Sequence, residues 1–309
     1  MTGQPLQHDV TTSAPLQALV GELQGRHGTG INSVLFYGSC LRSGNVFDGL
    51  VDLYVIVDSY RACYGSSWQA LANWVLPPNV FYIELPVDGK TLRCKYTVIS
   101  SADLERGASR WFQSYIWGRF TQPVDIIYNR DDDCREWLQL QLRMCTISFL
   151  NKVLPRLAGE GRVQDLWYEG LLLSYRTELR AESNGRAREL IDSDRDYYEQ
   201  RLHAVVGSLK FTVELRDEGT QMRYRARVSV RHRLVSRMTW LLRRVQGKLL
   251  SVLRLVKALF TFEGGVDYVV WKLERHSGQS ITIPDRVKRY PLIFIWGFAL
   301  RLYCRGVFH

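Results

Sequence analysis

The sequence has no C-x-x-C pair, no cluster of histidines and no long apolar run. Its six cysteines and six histidines are scattered, which argues against a zinc site and favours reduced thiols. The longest apolar run, residues 290–300, has eleven residues, whereas a membrane-spanning helix needs about 20. The N-terminal segment contains Asp9, no arginine before Arg26 and no run fit for a signal peptide. Neither a secretory signal nor a transit peptide is therefore expected.

Acidic residues are missing from one segment. Residues 219–262 hold 11 lysines and arginines and no acid, whereas the whole chain has a net charge of +10. The basic excess therefore belongs to this segment and not to the whole surface. A local basic block needs an anionic partner, which at this point is nucleic acid, acidic lipid or an acidic protein surface.

What is present is the composition of a globular protein of 309 residues, long enough for one large domain or two ordinary ones. The apolar patterns predict a mixed α/β unit over residues 1–130, a helical unit over 131–227 with a short strand pair at 208–227, and a basic, apolar segment over 228–309. Strands are expected at 32–38, 50–58, 79–85, 90–100 and 123–129, and helices at 15–26, 66–75, 101–118, almost throughout 134–207, at 228–260 and near 290–305.

One stretch of the first unit carries chemistry. An apolar strand ends at Gly38-Ser39, and the next strand carries Asp52. Gly38 lets the backbone approach a triphosphate, Ser39 can donate to its phosphates, and the Asp52 carboxylate can hold Mg²⁺. This is the outline of the nucleotidyltransferase fold, although Tyr54 stands where such folds usually carry a second acid. On this motif alone, an unrelated α/β domain with a Gly-Ser turn and one buried Asp stays an alternative.

The stretch YGSC…VDLYVIVD resembles the signature of the mitochondrial-type phosphatidate cytidylyltransferase family (translocator assembly and maintenance type), in which a single Asp is also followed by two apolar residues. The resemblance covers about residues 30–205. Three further stretches resemble family motifs in the same order: LRCKYTVIS at 92–100, SYIWGRFTQPV at 114–124 and LLLSYRTELR at 171–180. The sequence departs from the family pattern at three points: Cys40 for the usual Gly, Cys63-Tyr64 for His-Tyr, and Thr177-Glu178 for Gly-Asp.

The resemblance implies a fold and a reaction. The fold is an α/β N-terminal nucleotidyltransferase-like domain with a mixed sheet, a mostly α-helical domain that closes the nucleotide cleft, and a basic amphipathic C-terminal segment. The reaction is that of a phosphatidate cytidylyltransferase (CDP-diacylglycerol synthase) of phospholipid biosynthesis, which transfers CMP from CTP to phosphatidic acid and releases pyrophosphate, with Mg²⁺ or Mn²⁺ as cofactor. The lipid phosphate is already ionised at neutral pH, so positioning and charge neutralisation replace a strong general base.

The resemblance also implies residue roles. The expected catalytic residues are Asp52, Lys95 and Glu178, and the expected nucleotide-binding residues are Gly38, Ser39, Arg119 and Arg180. Asp52 and Glu178 are also the expected metal ligands. The alternatives are a solvated Lys95, a structural pairing of Arg119 with Asp125 or Glu178, a surface pair of Glu178 and Arg180, and a second acid supplied by Asp48 or Glu84.

A lipid substrate requires contact with a bilayer. Residues 231–262 alternate apolar and basic side chains at helical spacing, and basic clusters flank the apolar wedge near 290–300. Both patterns suit an interfacial segment on an anionic membrane. The alternatives are core packing of the helix with a solvated basic face, and core packing or a dimer contact for the wedge. The residues expected at the membrane are Arg243, Arg244, Lys248, Arg254, Lys257, Phe294 and Trp296.

Localisation and competing functions follow from the same features. We expect a peripheral protein on the cytoplasmic side of the bacterial inner membrane, with the matrix side of the mitochondrial inner membrane as the alternative. One competing function is nucleotide transfer to RNA or another non-lipid acceptor, which the lack of an RNA-binding signature disfavours. The other is a pseudoenzyme that binds nucleotide or membrane. The oligomeric state stays open.

Overall fold

The computed structural model describes residues 13–157, 159–178, 184–219 and 221–261, together with four single residues, Tyr268, Trp271, Glu274 and Pro284. The helices are α1 Ala14–His27, α2 Ser39–Ser43, α3 Tyr60–Cys63, α4 Ser67–Val75, α5 Ser101–Ser109, α6 Asp132–Val153, α7 Val163–Tyr175, α8 Asn184–Asp192, α9 Arg195–Val205 and α10 Val230–Thr261. The strands are β1 Ile31–Tyr37, β2 Val51–Val57, β3 Asn79–Val87, β4 Lys90–Ser100, β5 Val124–Asn129, β6 Glu160–Arg162, β7 Val213–Asp217 and β8 Met222–Ala226.

Five strands form the central sheet in the order β3-β4-β2-β1-β5. β2 and β4 run parallel and the other neighbours antiparallel, which confirms the predicted mixed sheet. β1 and β2 carry apolar side chains on both faces, because both faces are covered. Phe36 and Leu53 belong to a cluster with α1, whereas Leu35 and Tyr54 belong to a cluster that includes Trp167 of α7. The helices after residue 131 therefore share a core with the sheet.

The segment after α5 differs from the prediction. A helix was expected over residues 101–118, but α5 ends at Ser109. The chain then folds back, so that Ile116 packs on Gly107, where a Cβ would lie 2.7 Å from Ile116 Cγ1. Burial of Ile116 and Trp117 in the core outweighs their helical periodicity.

A second small sheet interrupts the helical unit. β7 and β8 form the strand pair expected in residues 208–227, and β6 adds a third strand in the order β6-β8-β7. β6 lies inside the stretch 134–207, which was predicted to be almost continuously helical. α10 agrees with the basic helix predicted at 228–260, and the helix expected near 290–305 lies outside the described residues.

Two glycine substitutions test the packing of the helices in opposite directions. A Cβ at Gly170 of α7 would lie 2.6 Å from Phe149 Cζ, so Gly170→Ala should lower the free energy of unfolding by about 1–3 kcal/mol. Gly21 of α1 is exposed with nothing within 4 Å of its Cβ position, so Gly21→Ala should raise it by about 0.5–1 kcal/mol. Urea unfolding measures both changes. If Gly170→Ala were as stable as wild type or more stable, the packing of α7 on α6 would be contradicted.

Candidate active site

The strand register places three polar side chains in a row across the sheet. Tyr37 of β1 pairs with Asp52 of β2, and Asp52 pairs with Lys95 of β4. Directly paired residues of neighbouring strands point to the same face, so these side chains meet. Lys95 Nζ lies 2.6 Å from Asp52 Oδ1, and both side chains are largely buried. The sheet thus presents a carboxylate with an ammonium group beside it.

The turn after β1 lies directly against this carboxylate. Gly38 has φ +94°, and a Cβ there would lie 2.8 Å from Asp52 Oδ2. Glycine is therefore required twice, for the backbone conformation and for the close approach. Ser39 follows at the start of α2. The Gly38-Ser39 turn and Asp52 form one continuous surface, as the motif predicts.

The opposite wall comes from the segment before β5 and from the end of α7. Arg119 Nη2 donates to Glu178 Oε1 at 3.1 Å, and its guanidinium lies 5.2 Å from the centre of the Tyr115 ring. The helix that was predicted through residue 180 ends at Tyr175, so Glu178 lies just beyond the last turn of α7. A hydrogen bond of 2.7 Å between Ser114 Oγ and Thr177 Oγ1 holds the two segments together.

These two walls enclose a cavity of about 190 Å³, called here the Asp52 cavity. Six expected site residues line it: Gly38, Ser39, Asp52, Lys95, Arg119 and Glu178. The weaker candidates for the second acid are not among its lining residues. Asp48 is exposed, and Glu84 pairs with Arg93 at 3.1 Å. Arg180 lies outside the described residues.

The cavity carries three cations, Arg42, Lys95 and Arg119, against two carboxylates. Burial opposes the charge of Lys95, but the nearby Tyr37 and Asp52 outweigh burial and raise the pKa of Lys95 above its usual value. Burial, followed by the Asp52 charge, raises the pKa of Tyr37 to about 12. At neutral pH the lysine is charged and the tyrosine is a neutral donor, so the site is suited to a polyanion.

The donor set is suited to a divalent cation bound together with phosphate. Asp52 and Glu178 supply carboxylate oxygens to the same cavity. Within the described part of the chain, no group of three or more His, Cys, Asp or Glu residues is placed to hold a metal ion alone. Mg²⁺ is usually bound by one or two carboxylates and completes its coordination with substrate phosphates and water. The two acids fit that pattern.

Sequence reasoning missed several residues of the site. Tyr37, Arg42, Gln122 and Tyr175 also line the Asp52 cavity. Arg42 had a usable signal, because it follows the Gly-Ser turn by one helical turn. Tyr175 Oη donates to Gln122 Oε1 at 3.1 Å, a contact between segments far apart in sequence that no spacing rule reveals.

Three of the residues expected at a membrane prove to be structural anchors. Arg243 Nε donates to Phe112 O at 2.8 Å, and Arg254 Nε donates to Pro77 O at 2.9 Å. Lys257 Nζ donates to Leu76 O at 2.5 Å and Pro78 O at 2.7 Å. These three side chains therefore donate to backbone carbonyls of the N-terminal half, and their contact with a membrane stays a prediction. Arg244 and Lys248 are exposed, and Phe294 and Trp296 lie outside the described residues.

Comparison with known proteins decides the family. The family model described as "Phosphatidate cytidylyltransferase, mitochondrial" matches residues 59–245, more than half of the chain. The chain belongs to this family. The resemblance in the sequence motifs is thereby confirmed, and the phosphatidate cytidylyltransferase family makes nucleotidyl transfer the class of activity. The matched region contains Lys95, Arg119 and Glu178 but begins after Asp52, so the case for Asp52 rests on the cavity.

Other comparisons add little to the family assignment. A nucleotidyltransferase-like protein from Exiguobacterium sibiricum matches 69% of this chain and 98% of its own, with 11% identity and a TM-score of 0.25. A TM-score this low carries no argument about the site. No curated protein matches the sequence significantly. None of the described helices is long and apolar enough to cross a membrane.

Proposed function

We propose that this protein transfers CMP from CTP to phosphatidic acid and releases pyrophosphate. The observation that carries the proposal is the Asp52 cavity, in which the Gly38-Ser39 turn, two carboxylates and three cations surround one small space. Membership of the phosphatidate cytidylyltransferase family supports the same reaction. The triphosphate would lie against the Gly38-Ser39 turn, with Lys95 and Arg119 as its counter-charges.

The cavity is built for charge neutralisation and not for proton transfer. Among the residues that the structure describes, no histidine lines it. A lipid phosphate needs no base, because it is already ionised when it attacks the α-phosphorus of CTP. Arg119 can offer two parallel donors to one phosphate, and Lys95 offers a point charge. A Mg²⁺ ion held by Asp52 and Glu178 would further neutralise the phosphate oxygens.

Lys95 and Asp52 would change partners when the nucleotide arrives. Their ion pair of 2.6 Å lies on the cavity wall. A substrate phosphate would replace Asp52 as the ion-pair partner of Lys95. The Asp52 carboxylate would then be free to bind Mg²⁺. The pair therefore holds both groups in place before the substrate binds, which reduces the ordering that binding requires.

A neighbouring cavity offers a path for the lipid. This Arg254 cavity of about 280 Å³ shares Glu178 with the Asp52 cavity and is also lined by Tyr115, Arg254 and Lys257. The Arg254 guanidinium lies 4.2 Å from the centre of the Tyr115 ring, and the Arg119 guanidinium packs on the same ring at 5.2 Å. Cations thus lead from one cavity to the other. We assign the Arg254 cavity to the phosphate of the acceptor.

The outer surface of α10 would contact the bilayer. The helix turns its inner side, with Trp240, Arg243 and Gly247, to the protein and leaves a row of large apolar side chains exposed by 43–73%. Such a surface, with Arg244 and Lys248 beside it, is typical of an interfacial helix on an anionic membrane. The exposed apolar residues are Val230, Leu234, Val235, Met238, Leu241, Leu242, Val245, Leu249, Val252, Leu253, Leu255, Val256 and Phe260.

Two membranes are candidates for contact with this surface. The family is described as mitochondrial, which favours the inner mitochondrial membrane over the bacterial inner membrane. Mixing the purified chain with vesicles of either lipid composition would compare the two surfaces directly.

Substitution of Lys257 tests the assignment of the acceptor cavity. Lys257→Met should raise KM for a short-chain, monomeric phosphatidate about tenfold, the loss of one charge-assisted contact, with KM for CTP unchanged. Burial, with Arg254 adding to it, lowers the pKa of Lys257 to about 7. The difference in KM for phosphatidate between wild type and Lys257→Met should therefore shrink above pH 7, because the lysine loses its proton there. Lys248→Met, on the exposed side of α10, should leave both KM values unchanged, and a rise in KM for CTP in Lys257→Met would oppose the assignment.

The proposed reaction is tested by comparing acceptors. Pyrophosphate release from CTP is measured with phosphatidate, with diacylglycerol and with RNA, each in the presence of Mg²⁺. Release with phosphatidate alone supports the proposal. Release that depends on RNA would favour the non-lipid transferase, and binding of CTP and vesicles without release would favour the pseudoenzyme.

A further inference from the structure

A separate cationic cavity lies beside the first half of α10. This Lys152 cavity has a volume of about 510 Å³ and shares no lining residue with the Asp52 cavity. Lys152, Lys210, Arg227 and Arg243 line it, together with His232 and no carboxylate among the described residues. The proposed transfer reaction uses none of these side chains.

Two of these cations are buried without a carboxylate partner in the described part of the chain. The Lys152 ammonium lies 4.9 Å from the centre of the Trp117 ring and 3.4 Å from Ser148 O. The Arg243 guanidinium is 4.5 Å from the centre of the Phe112 ring, and its residue is only 6% exposed. Arg227, by contrast, pairs with Glu214 at 3.2 Å. Aromatic faces and carbonyls thus offset the buried charges only in part.

This arrangement lowers the pKa of both groups. Burial, with the Arg243 and Lys210 charges adding to it, lowers the pKa of Lys152 to about 8. Burial lowers the pKa of Arg243 to about 10. Like charges that are buried together are unfavourable unless an anion compensates them.

An independent observation comes from a hydroxyl group. Ser236 of α10 lines the same cavity and is 7% exposed, and its Oγ has no hydrogen-bond partner among the described residues. Buried hydroxyls are normally hydrogen-bonded, so an orphaned one beside several cations indicates a missing acceptor. A phosphate group supplies such acceptors and the negative charge together.

We infer that the Lys152 cavity binds a phosphate-bearing anion, with Lys152, Lys210 and Arg243 as counter-charges and Ser236 Oγ as a donor. This site goes beyond the proposed transfer reaction and does not depend on it. Val235 lines the cavity and is 54% exposed, and Met238 one turn further along α10 is 62% exposed. The phosphate can therefore belong to an acidic phospholipid whose chains lie along α10, or to a free phosphate compound.

The first test uses the full chain and inorganic phosphate, with sodium chloride of equal ionic strength as reference. The wild-type melting temperature should rise by a few degrees in phosphate, since a ligand of the folded state stabilises it. Lys152→Met should lose this rise, yet melt no lower than wild type without phosphate, because the variant removes an uncompensated buried charge. Ser236→Ala should reduce the rise, whereas Lys248→Met should keep it. Arg119→Gln removes phosphate binding at the Asp52 cavity and should leave the part of the rise that Lys152→Met removes. An equal rise in melting temperature in wild type and Lys152→Met would overturn the inference. So would the absence of any rise in wild type, if the two proteins also bound anionic vesicles equally.

A second measurement separates the two sources of the phosphate. Vesicles of phosphatidylcholine with and without phosphatidylglycerol are titrated with wild type and Lys152→Met. If a lipid headgroup occupies the cavity, the variant should bind the anionic vesicles at least about fivefold more weakly, and both proteins should bind neutral vesicles alike. If a free phosphate compound is the ligand, vesicle binding should be equal while the phosphate-dependent melting shift is lost. Equal behaviour in both measurements would rule out the site.

Discussion

Asp52→Asn should lower kcat/KM for CMP transfer by about 1,000-fold or more, which corresponds to about 4 kcal/mol of transition-state stabilisation. The amide is nearly isosteric, but it can neither hold a cation as a carboxylate does nor balance the ammonium of Lys95, which lies 2.6 Å from Asp52 Oδ1. Loss of one site that neutralises developing charge typically costs several kcal/mol. The measurement is the steady-state formation of CDP-lipid in mixed micelles.

Asp48→Asn is the matched control. Asp48 lies in the loop between Ser39 and Asp52, is exposed and does not line the Asp52 cavity. Its substitution should change kcat/KM less than about twofold, as is usual for a surface residue away from the site. If Asp52→Asn kept more than a tenth of wild-type activity, Asp52 would not be a catalytic residue.

Gly38→Ala should lower kcat/KM about 100-fold while the protein still folds. The added Cβ would lie 2.8 Å from Asp52 Oδ2 and 3.3 Å from Asp52 Cβ, so the carboxylate or the turn must move. A displacement of about 1 Å at a reacting site can cost this much rate. The left-handed backbone at φ +94° adds about 1–2 kcal/mol to the loss of folding stability.

Gly44→Ala separates the contact from the backbone strain. Gly44 has φ +68° and nothing within 4 Å of its Cβ position, so alanine there is strained by the positive φ but meets no collision. Its melting temperature should fall less than that of Gly38→Ala, with activity within about threefold of wild type. If the two variants lost equal activity, the close approach of Gly38 to Asp52 would not matter for turnover.

Much of the sheet was predictable because its strands are marked by local features. β1 is apolar from Val34 to Tyr37 and ends at Gly38, and β2 is apolar except for Asp52. The turn at Asp88-Gly89 adopts the positive φ values of 50° and 72° that are typical of a tight hairpin. The Gly38-Ser39 turn and Asp52 are local features of the same kind. Their adjacency was predictable once the two strands were assumed to pair.

The partners within the site were harder to predict because they depend on register and on distant contacts. The ion pair of Lys95 with Asp52 follows from the parallel pairing of β2 with β4, which no local pattern specifies. The pairing of Arg119 with Glu178 joins segments 59 residues apart. It matches the structural alternative for Arg119, although both groups line the Asp52 cavity.

The contacts on the inner side of α10 were not predictable from its sequence. The pattern of residues 231–262 favours an interfacial helix, with core packing as the alternative. Leu241 and Leu242 are exposed by 54% and 57%, whereas Arg243, which was expected at the membrane, is buried. The inner face instead carries polar side chains that meet backbone carbonyls and a glycine that allows close approach. A Cβ at Gly247 would lie 2.5 Å from Thr177 O. Composition could locate the basic block, but it could not show which of its cations face the protein and which lie on the outer surface of α10.

The most direct test of the account follows the label of CTP into lipid. The full chain is incubated with Mg²⁺, phosphatidate in mixed micelles, and CTP labelled at either the α- or the γ-phosphorus, with Asp52→Asn in parallel. If the proposed CMP transfer occurs, the α-label enters the lipid, the γ-label leaves in pyrophosphate, and neither transfer occurs at an appreciable rate in the variant. Absence of labelled lipid with wild type, although the protein binds micelles, would contradict the assignment of the Asp52 cavity to CMP transfer.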